Sequence, residues 1–248
     1  MQFVLARGHS TRMSWWLIVL AAAFVMSAYY WLLVVTEGTY LGTRVVTWLY
    51  DIAAWRYDRA KKLHIVDELR CIGIPLADAL ASHAQPRVLD VGSGTGRVPL
   101  ALLRTDGFGG SIYALDRSQE MLAEGHRAAA DELARARALR GDARALPFEN
   151  AAFDAVTCLE AIEFMPKAER AIDEMVRVLK PGAVLLLSNR VGADAWWFPG
   201  RMAGRGRLER HLRRIGLESV RMERWQVHYD LVWAQKPAQA TSTSIATT

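Results

Sequence analysis

The chain has 248 residues, 52% of them apolar, a formal net charge of +5 and a sequence pI of about 9.4. That length suits one ordinary domain plus an appendage, and that apolar share is enough for a real core and slightly rich for a purely soluble protein. Residues 1–35 hold two arginines and no acid, which leaves 29 basic and 26 acidic side chains for the rest, too even a balance for a nucleic-acid-binding stripe.

Trp15 to Val35 carries no charge. At 1.5 Å per residue such a run reaches roughly 30 Å, the thickness of a bilayer core. Trp15, Trp16 and Trp31 lie near its ends, where indoles favour the membrane interface. A cleaved signal peptide would have a shorter apolar stretch and a small-residue cleavage site, and a buried core helix rarely stays apolar all round for this length. A single membrane span over 15–35 is therefore expected, after a flank at 1–14. Arg7 and Arg12 on one side nearly balance Arg44, Arg56, Arg59, Lys61 and Lys62 on the other, so charge alone leaves the orientation open.

Residues 36–85 read as an amphipathic helical linker and cap. Val45, Val46, Leu49, Ile52, Ala53, Tyr57, Ala60, Leu63 and Val66 recur at helical spacing, and Lys and Arg take much of the other face. A short helix follows over 75–82. From Pro86 strands and helices alternate: strand 87–91, helix 97–103, strand 111–115, helix 118–137, a short strand near Leu139, strand 153–158, helix 167–179, a turn at Pro181-Gly182, strand 183–188, a basic helix at 205–215 and two strands within 219–234. This alternation predicts an α/β domain over 86–236, a doubly wound, Rossmann-like, mostly parallel sheet behind the membrane helix and the helical prelude. The Ala/Thr/Ser-rich tail at 237–248 reads as disordered.

Asp90-Val91-Gly92-Ser93-Gly94-Thr95-Gly96 places a strand directly before a glycine turn and a helix. Glycine lets backbone approach a ligand closely. Dinucleotide binding needs G-x-G-x-x-G, with a pyrophosphate on the helix N-terminus. Here the spacing is G-x-G-x-G, Arg97 stands at the third dinucleotide position, and Asp90 would repel a pyrophosphate while suiting an ammonium group. The second strand ends at Asp116, whose carboxylate can accept two ribose hydroxyls; nicotinamide enzymes share that use, and a plain helix cap before Ser118 is the simpler alternative.

The motifs VLDVGSGTG (88–96), ALD (114–116), GDARALPF (141–148), FDAVTC (153–158) and LKPGAVLLL (179–187) occur together in this order. In these the chain resembles the class I S-adenosylmethionine-dependent methyltransferases, and among them the ubiquinone/menaquinone C-methyltransferase-like subgroup. The resemblance implies S-adenosyl-L-methionine as cofactor, with Asp90 and the loop of Gly92, Ser93, Gly94 and Gly96 on its methionine part. It implies Asp116 on the ribose, Arg117 and Met121 flanking the adenine, Asp142 and Ala143 at the adenine edge, and Cys158 and Leu159 as floor. It also implies that Tyr57, in a Tyr-Asp pair before the sheet, closes over the cofactor. Because that cofactor is made in the cytosol, the domain is expected on the cytoplasmic side.

Methyl transfer needs an aligned acceptor and a dry site, and an acid–base group only where the acceptor carries a proton of high pKa. Glu160 and Glu163 follow the fourth strand, with Phe164 where some related O-methyltransferases have a metal-binding histidine. The expectation is no metal, with Glu160 as the catalytic candidate and a solvated, dipole-stabilised helix start as the alternative for both acids. Trp196-Trp197-Phe198 suits an apolar pocket, a bilayer interface or ordinary packing, and the basic helix after it suits lipid headgroups or ordinary packing. With the membrane span these favour an apolar small-molecule or lipid acceptor, such as an isoprenoid quinone, and no nucleic acid. A nicotinamide-dependent oxidoreductase and a non-catalytic module of the same fold are the competing readings.

Overall fold

A computed structural model describes residues 15–61, 65–198 and 201–238. Helix α1 (Trp15–Tyr30) carries no charged residue and continues through a wide π-helical turn to Val35. Together they make one helix long and apolar enough to cross a membrane, with none of its residues fully buried in the protein. Helix α2 (Thr43–Lys61) follows, then α3 (Ile65–Glu68) and α4 (Ile74–Leu80), which has a proline in its first turn where no N–H is missed. The expected prelude is thus helical.

The α/β domain alternates β1 (Arg87–Val91), α5 (Arg97–Leu103), β2 (Ser111–Asp116), α6 (Gln119–Ala128), α7 (Ala130–Leu133), β3 (Ala136–Arg140), β4 (Phe153–Cys158), α8 (Ala168–Val178) and β5 (Leu179–Arg190). It ends with α9 (Arg207–Arg214), β6 (Glu218–Arg224) and β7 (Tyr229–Gln235). The sheet order is β3-β2-β1-β4-β5-β7-β6, with β7 antiparallel to both β5 and β6 and the other pairings parallel. This is the expected Rossmann-like, mostly parallel sheet. All six residues of β4 are buried, as a central parallel strand covered on both faces requires. Alternate residues feed two cores. Leu89, Val91, Phe153 and Cys158 face α8 and α9, while Val88, Ile112 and Ala155 face α4 and α5.

The chain reverses its winding direction between β1 and β4, so the carboxyl ends of these neighbouring strands open a crevice. Asp90 and Leu159 lie at that edge.

Two sequence expectations change. The single helix over 118–137 breaks at Ala129 (φ −144°), and its last residues become β3, paired with β2 from Ile112 to Asp116. The Pro181-Gly182 turn lies inside β5 rather than before it: Phe153 pairs with Leu179 but Ala155 with Val184, so the turn is an irregularity of one long strand. Gly125 on α6 marks the tightest approach between this helix and the glycine loop, because a Cβ there would meet the Thr95 carbonyl oxygen at 2.4 Å. Gly125→Ala is expected to cost about 1–3 kcal/mol, as overpacking against backbone does. Urea unfolding checks it; a stabilised variant would mean that α6 can shift and that the helix propensity of alanine dominates.

Candidate functional site

The loop after β1 gives the crevice its shape. Gly92 and Gly94 take φ +71° and +56°, left-handed conformations that disfavour a side chain, and a Cβ on Gly92 would also strike the Ala161 methyl at 2.7 Å. Both Gly92 and Ser93 donate their N–H to the Leu115 carbonyl, at 2.8 and 3.1 Å, which ties the loop to the end of β2. The cleft so formed encloses about 140 Å³.

Buried acids dominate the loop side. Asp90 accepts the Thr157 hydroxyl at 2.6 Å, and burial pushes its carboxyl up to about 6. Asp116 accepts the N–H of Gly94 and of Ser118, each at 2.8 Å, and burial raises its pKa against the pull of these donors. A carboxylate has about four acceptor sites, so capacity remains for a sugar hydroxyl. Met121 packs its methyl against Gly94. Asp142 is held by Arg144 at 2.7 and 2.9 Å and by Arg117 at 2.7 Å; with the Arg144 N–H these donors fill its acceptor sites and hold its carboxyl well below the usual range. An adenine amino group can reach Asp142 only by displacing one of them.

Helix α2 roofs the cleft with Val46, Tyr50 and Tyr57. Burial, and then the Glu160 charge, push the Tyr57 phenol up, and its ring lies tilted 6.0 Å from Tyr50. Two acids latch this roof to the floor: Thr95 donates its hydroxyl to Asp58 at 2.6 Å, and Ser118, the N-cap of α6, donates to Asp51. The sequence offered no local sign of the Asp51 contact, which joins residues 67 apart.

Glu160 lines the cleft at a left-handed φ of +50°. Its carboxylate meets Arg97 at 2.6 Å with the side chain only 4% exposed, and its N–H donates to the Ser188 hydroxyl at 2.6 Å. Arg97 also approaches Glu68 at 3.6 Å and lies 5.0 Å from the Trp225 ring centre. The residue that replaces a dinucleotide glycine is therefore the buried counter-ion of two acids. Glu163 is buried too, but against Tyr229 and Arg190 and away from the cleft. Neither acid is a solvated helix start; a short 3-10 turn at Ile162–Phe164 stands there. Phe164 packs edge-on to Tyr50 and Phe198.

Of the sequence-predicted residues, the structure gathers Tyr57, Asp90, Gly92, Ser93, Gly94, Asp116, Arg117, Met121, Asp142, Ala143, Leu159 and Glu160 around this one cleft. Cys158 and Gly96 stand outside its wall. Cys158 points into the α8 core, where burial raises its thiol pKa, and Gly96 faces Leu133. Sequence reasoning missed Tyr50, Asp51, Glu68 and Thr157, and read Arg97 only as an absent glycine. In the aromatic segment Phe198 is core, Trp197 lies edge-on to Trp31 and accepts the Tyr40 hydroxyl on its carbonyl at 2.7 Å, and Trp196 is exposed. The apolar stripe of α9, Leu208 and Leu212, is packed in the core.

A buried carboxylate with a raised pKa, a left-handed glycine cradle and a second carboxylate with spare acceptor capacity fit a ligand that bears a cation and a ribose. Comparison with known proteins agrees. Residues 89–187 match the family model described as a methyltransferase domain. The chain is 32% identical over 142 residues to a demethylmenaquinone methyltransferase from Clavibacter sepedonicus, covering 57% of this chain and 56% of that one. It is 36% identical over 136 residues to a ubiquinone/menaquinone biosynthesis C-methyltransferase from Ruegeria, covering 52% and 54%. The chain thus spans about half the length of the curated relatives it matches. Among solved structures the cyclase SpnF superposes with a TM-score of 0.57 at 23% identity, over 67% of this chain and 80% of that one, which speaks for the fold alone.

Proposed function

We propose that the chain, whose residues 89–187 match the methyltransferase-domain model, is a membrane-anchored S-adenosylmethionine-dependent methyltransferase acting on an apolar, quinone-type acceptor. The observation that carries the cofactor is the pair Asp90 and Asp116, at the carboxyl ends of β1 and β2, on either side of the left-handed glycine loop. Asp90 would face the ammonium group and Asp116 the ribose. When bound, the cofactor supplies an electrophilic methyl carbon on a sulfonium that is already a good leaving group. The chain's own work is to align the acceptor and keep water out. Tyr50 and Tyr57 on the α2 roof exclude solvent, and Phe164 and Met165 give the acceptor side an apolar wall. Glu160, held by Arg97, is the group placed to take a proton from an acceptor hydroxyl.

The quinone-type acceptor is supported by the names of the relatives and by the apolar helix of 21 residues before the domain. The cytoplasmic placement of the domain follows from where the cofactor is made. A nicotinamide oxidoreductase is disfavoured by the G-x-G-x-G spacing, with Arg97 at the third dinucleotide glycine, and by the Asp90 carboxylate on the cleft wall.

The test is calorimetry on the full chain in detergent with S-adenosylmethionine and, separately, NADH, followed by labelled methyl transfer to membrane extracts. Binding of the first ligand and label in a quinone fraction is expected. Binding of NADH alone would overturn the reading; cofactor binding with no labelled product would leave a non-catalytic module. Asp116→Asn is expected to weaken cofactor binding by about 10–100-fold, the loss typical of a hydrogen bond to a charged group, with the fold intact by circular dichroism. Unchanged affinity would remove Asp116 from the site.

A further inference from the structure

Helix α2 has two working faces. Val46, Tyr50 and Tyr57 turn inward onto the cleft. On the opposite side Trp48, Ile52 and Trp55 are 56%, 54% and 58% exposed. Their spacing of four and three residues sets them in one stripe, so Ile52, expected from its spacing to share the apolar face of Val46 and Tyr57, stands on the outer one. Arg44, Arg56 and Arg59 are exposed around it, and the guanidinium groups of Arg56 and Arg59 lie 5.2 and 5.7 Å from the Trp55 ring centre. Large apolar side chains flanked by arginines are what an anionic bilayer interface takes up: indoles sit at headgroup depth, and the arginine stems run along them to phosphate.

The chain fixes where this stripe sits. The apolar helix ends at Val35 and α2 begins at Thr43. The link between them is folded back, with Tyr40 stacked on Trp31 at 5.4 Å and bonded to the Trp197 carbonyl. A helix tethered this closely to a membrane span starts at the membrane surface.

We propose that the outer stripe of α2 lies in an anionic lipid interface, so that the membrane itself holds the roof over the cleft. The proposal rests on the membrane anchoring argued above.

Spin labels on the full chain test it, in a Cys71→Ser background reconstituted into vesicles of phosphatidylcholine with one third phosphatidylglycerol. Labels go at Ile52→Cys on the stripe, Phe24→Cys in α1 and Asn150→Cys at the opposite edge of the sheet. Accessibility to oxygen and to a water-soluble nickel complex is compared at each. Oxygen is expected to dominate at 52 by severalfold and nickel at 150. Nickel dominating at 52 while oxygen dominates at 24 overturns the proposal and leaves the anchor standing. Low accessibility to both relaxants at 52 also overturns it, in favour of a protein partner such as a second copy of the chain. Nickel at 24 with oxygen at 52 removes the anchor and supports the stripe as the membrane contact; nickel at both overturns both readings.

Discussion

Asp90→Asn is expected to raise the melting temperature of the free protein at pH 7 while weakening S-adenosylmethionine binding by about 10–100-fold. The carboxyl of Asp90 is buried beneath the loop, with the Thr157 hydroxyl as hydrogen-bond donor, and burial pushes its pKa up to about 6. At pH 7 it is ionised, so the fold carries the cost of a desolvated charge. A displacement of two pKa units corresponds to about 3 kcal/mol at most. Asparagine keeps the shape and an oxygen for Thr157 but sheds the charge, so a gain of about 2 kcal/mol is reasonable, or roughly 5 °C for a domain of this size. The loss in affinity is that of a charge-assisted hydrogen bond.

The pH dependence separates the two effects. The folded-state pKa lies above the unfolded one, so the folded protein binds the extra proton between about pH 4 and pH 6. Stability from this group therefore falls as pH rises through that window and stays level above it. Binding runs the other way, because an ammonium ligand needs the ionised form; affinity of the natural chain falls about tenfold per pH unit below 6. Asp90→Asn removes the share of both slopes that Asp90 contributes, leaving that of the other buried acids such as Asp116 and Glu68. Calorimetric melting at pH 4.5 and 7, with titration calorimetry at pH 5 and 7, reads all four values. A variant that melts lower at pH 7 would make Asp90 a structural residue and cancel its assignment to the ligand.

The parts of this fold that were legible are those with a local pattern. Val88–Val91 and Phe153–Cys158 announce buried parallel strands because they are covered on both faces, and Asp90 and Asp116 stand out because each ends a strand at a turn. Ala136 and Arg137 read as the end of a helix, with a short strand only near Leu139, yet β2 offers the whole of Ala136–Arg140 a free edge, and backbone pairing there outweighs a propensity of a few tenths of a kcal/mol per residue. The site's ion pairs were not legible for a related reason. Arg97 and Glu160 are 63 residues apart, as Asp58 and Thr95 are 37 apart, and only the fold brings them together. Local sequence showed what Arg97 was not, a glycine; it could not show what Arg97 neutralises. Asp142 is the opposite case: its position was legible, but the two arginines that saturate it were not read as its partners.

Arg97→Met is expected to be the most destabilising of these changes, by about 3–5 kcal/mol, because it leaves the Glu160 and Glu68 carboxylates buried without their counter-ion. Methionine keeps the volume and the contact with Trp225, so the loss reports charge rather than packing. The same logic predicts rescue: adding Glu160→Gln and Glu68→Gln to Arg97→Met should recover most of the stability, since a neutral buried cluster costs little. Failure of that rescue in urea unfolding would mean that Arg97 acts through its shape. Glu160→Gln alone then isolates the chemistry. If Glu160 takes the acceptor's proton, the variant loses about 100-fold or more in kcat, keeps its cofactor affinity, and loses the acidic limb of the kcat profile measured at saturating cofactor. If Glu160 only balances Arg97, kcat stays within a few-fold, the acidic limb remains, and KM and the melting temperature move instead. The first outcome is expected, because a carboxylate needed only as a counter-ion has no reason to stand at a left-handed turn on the wall of the cleft.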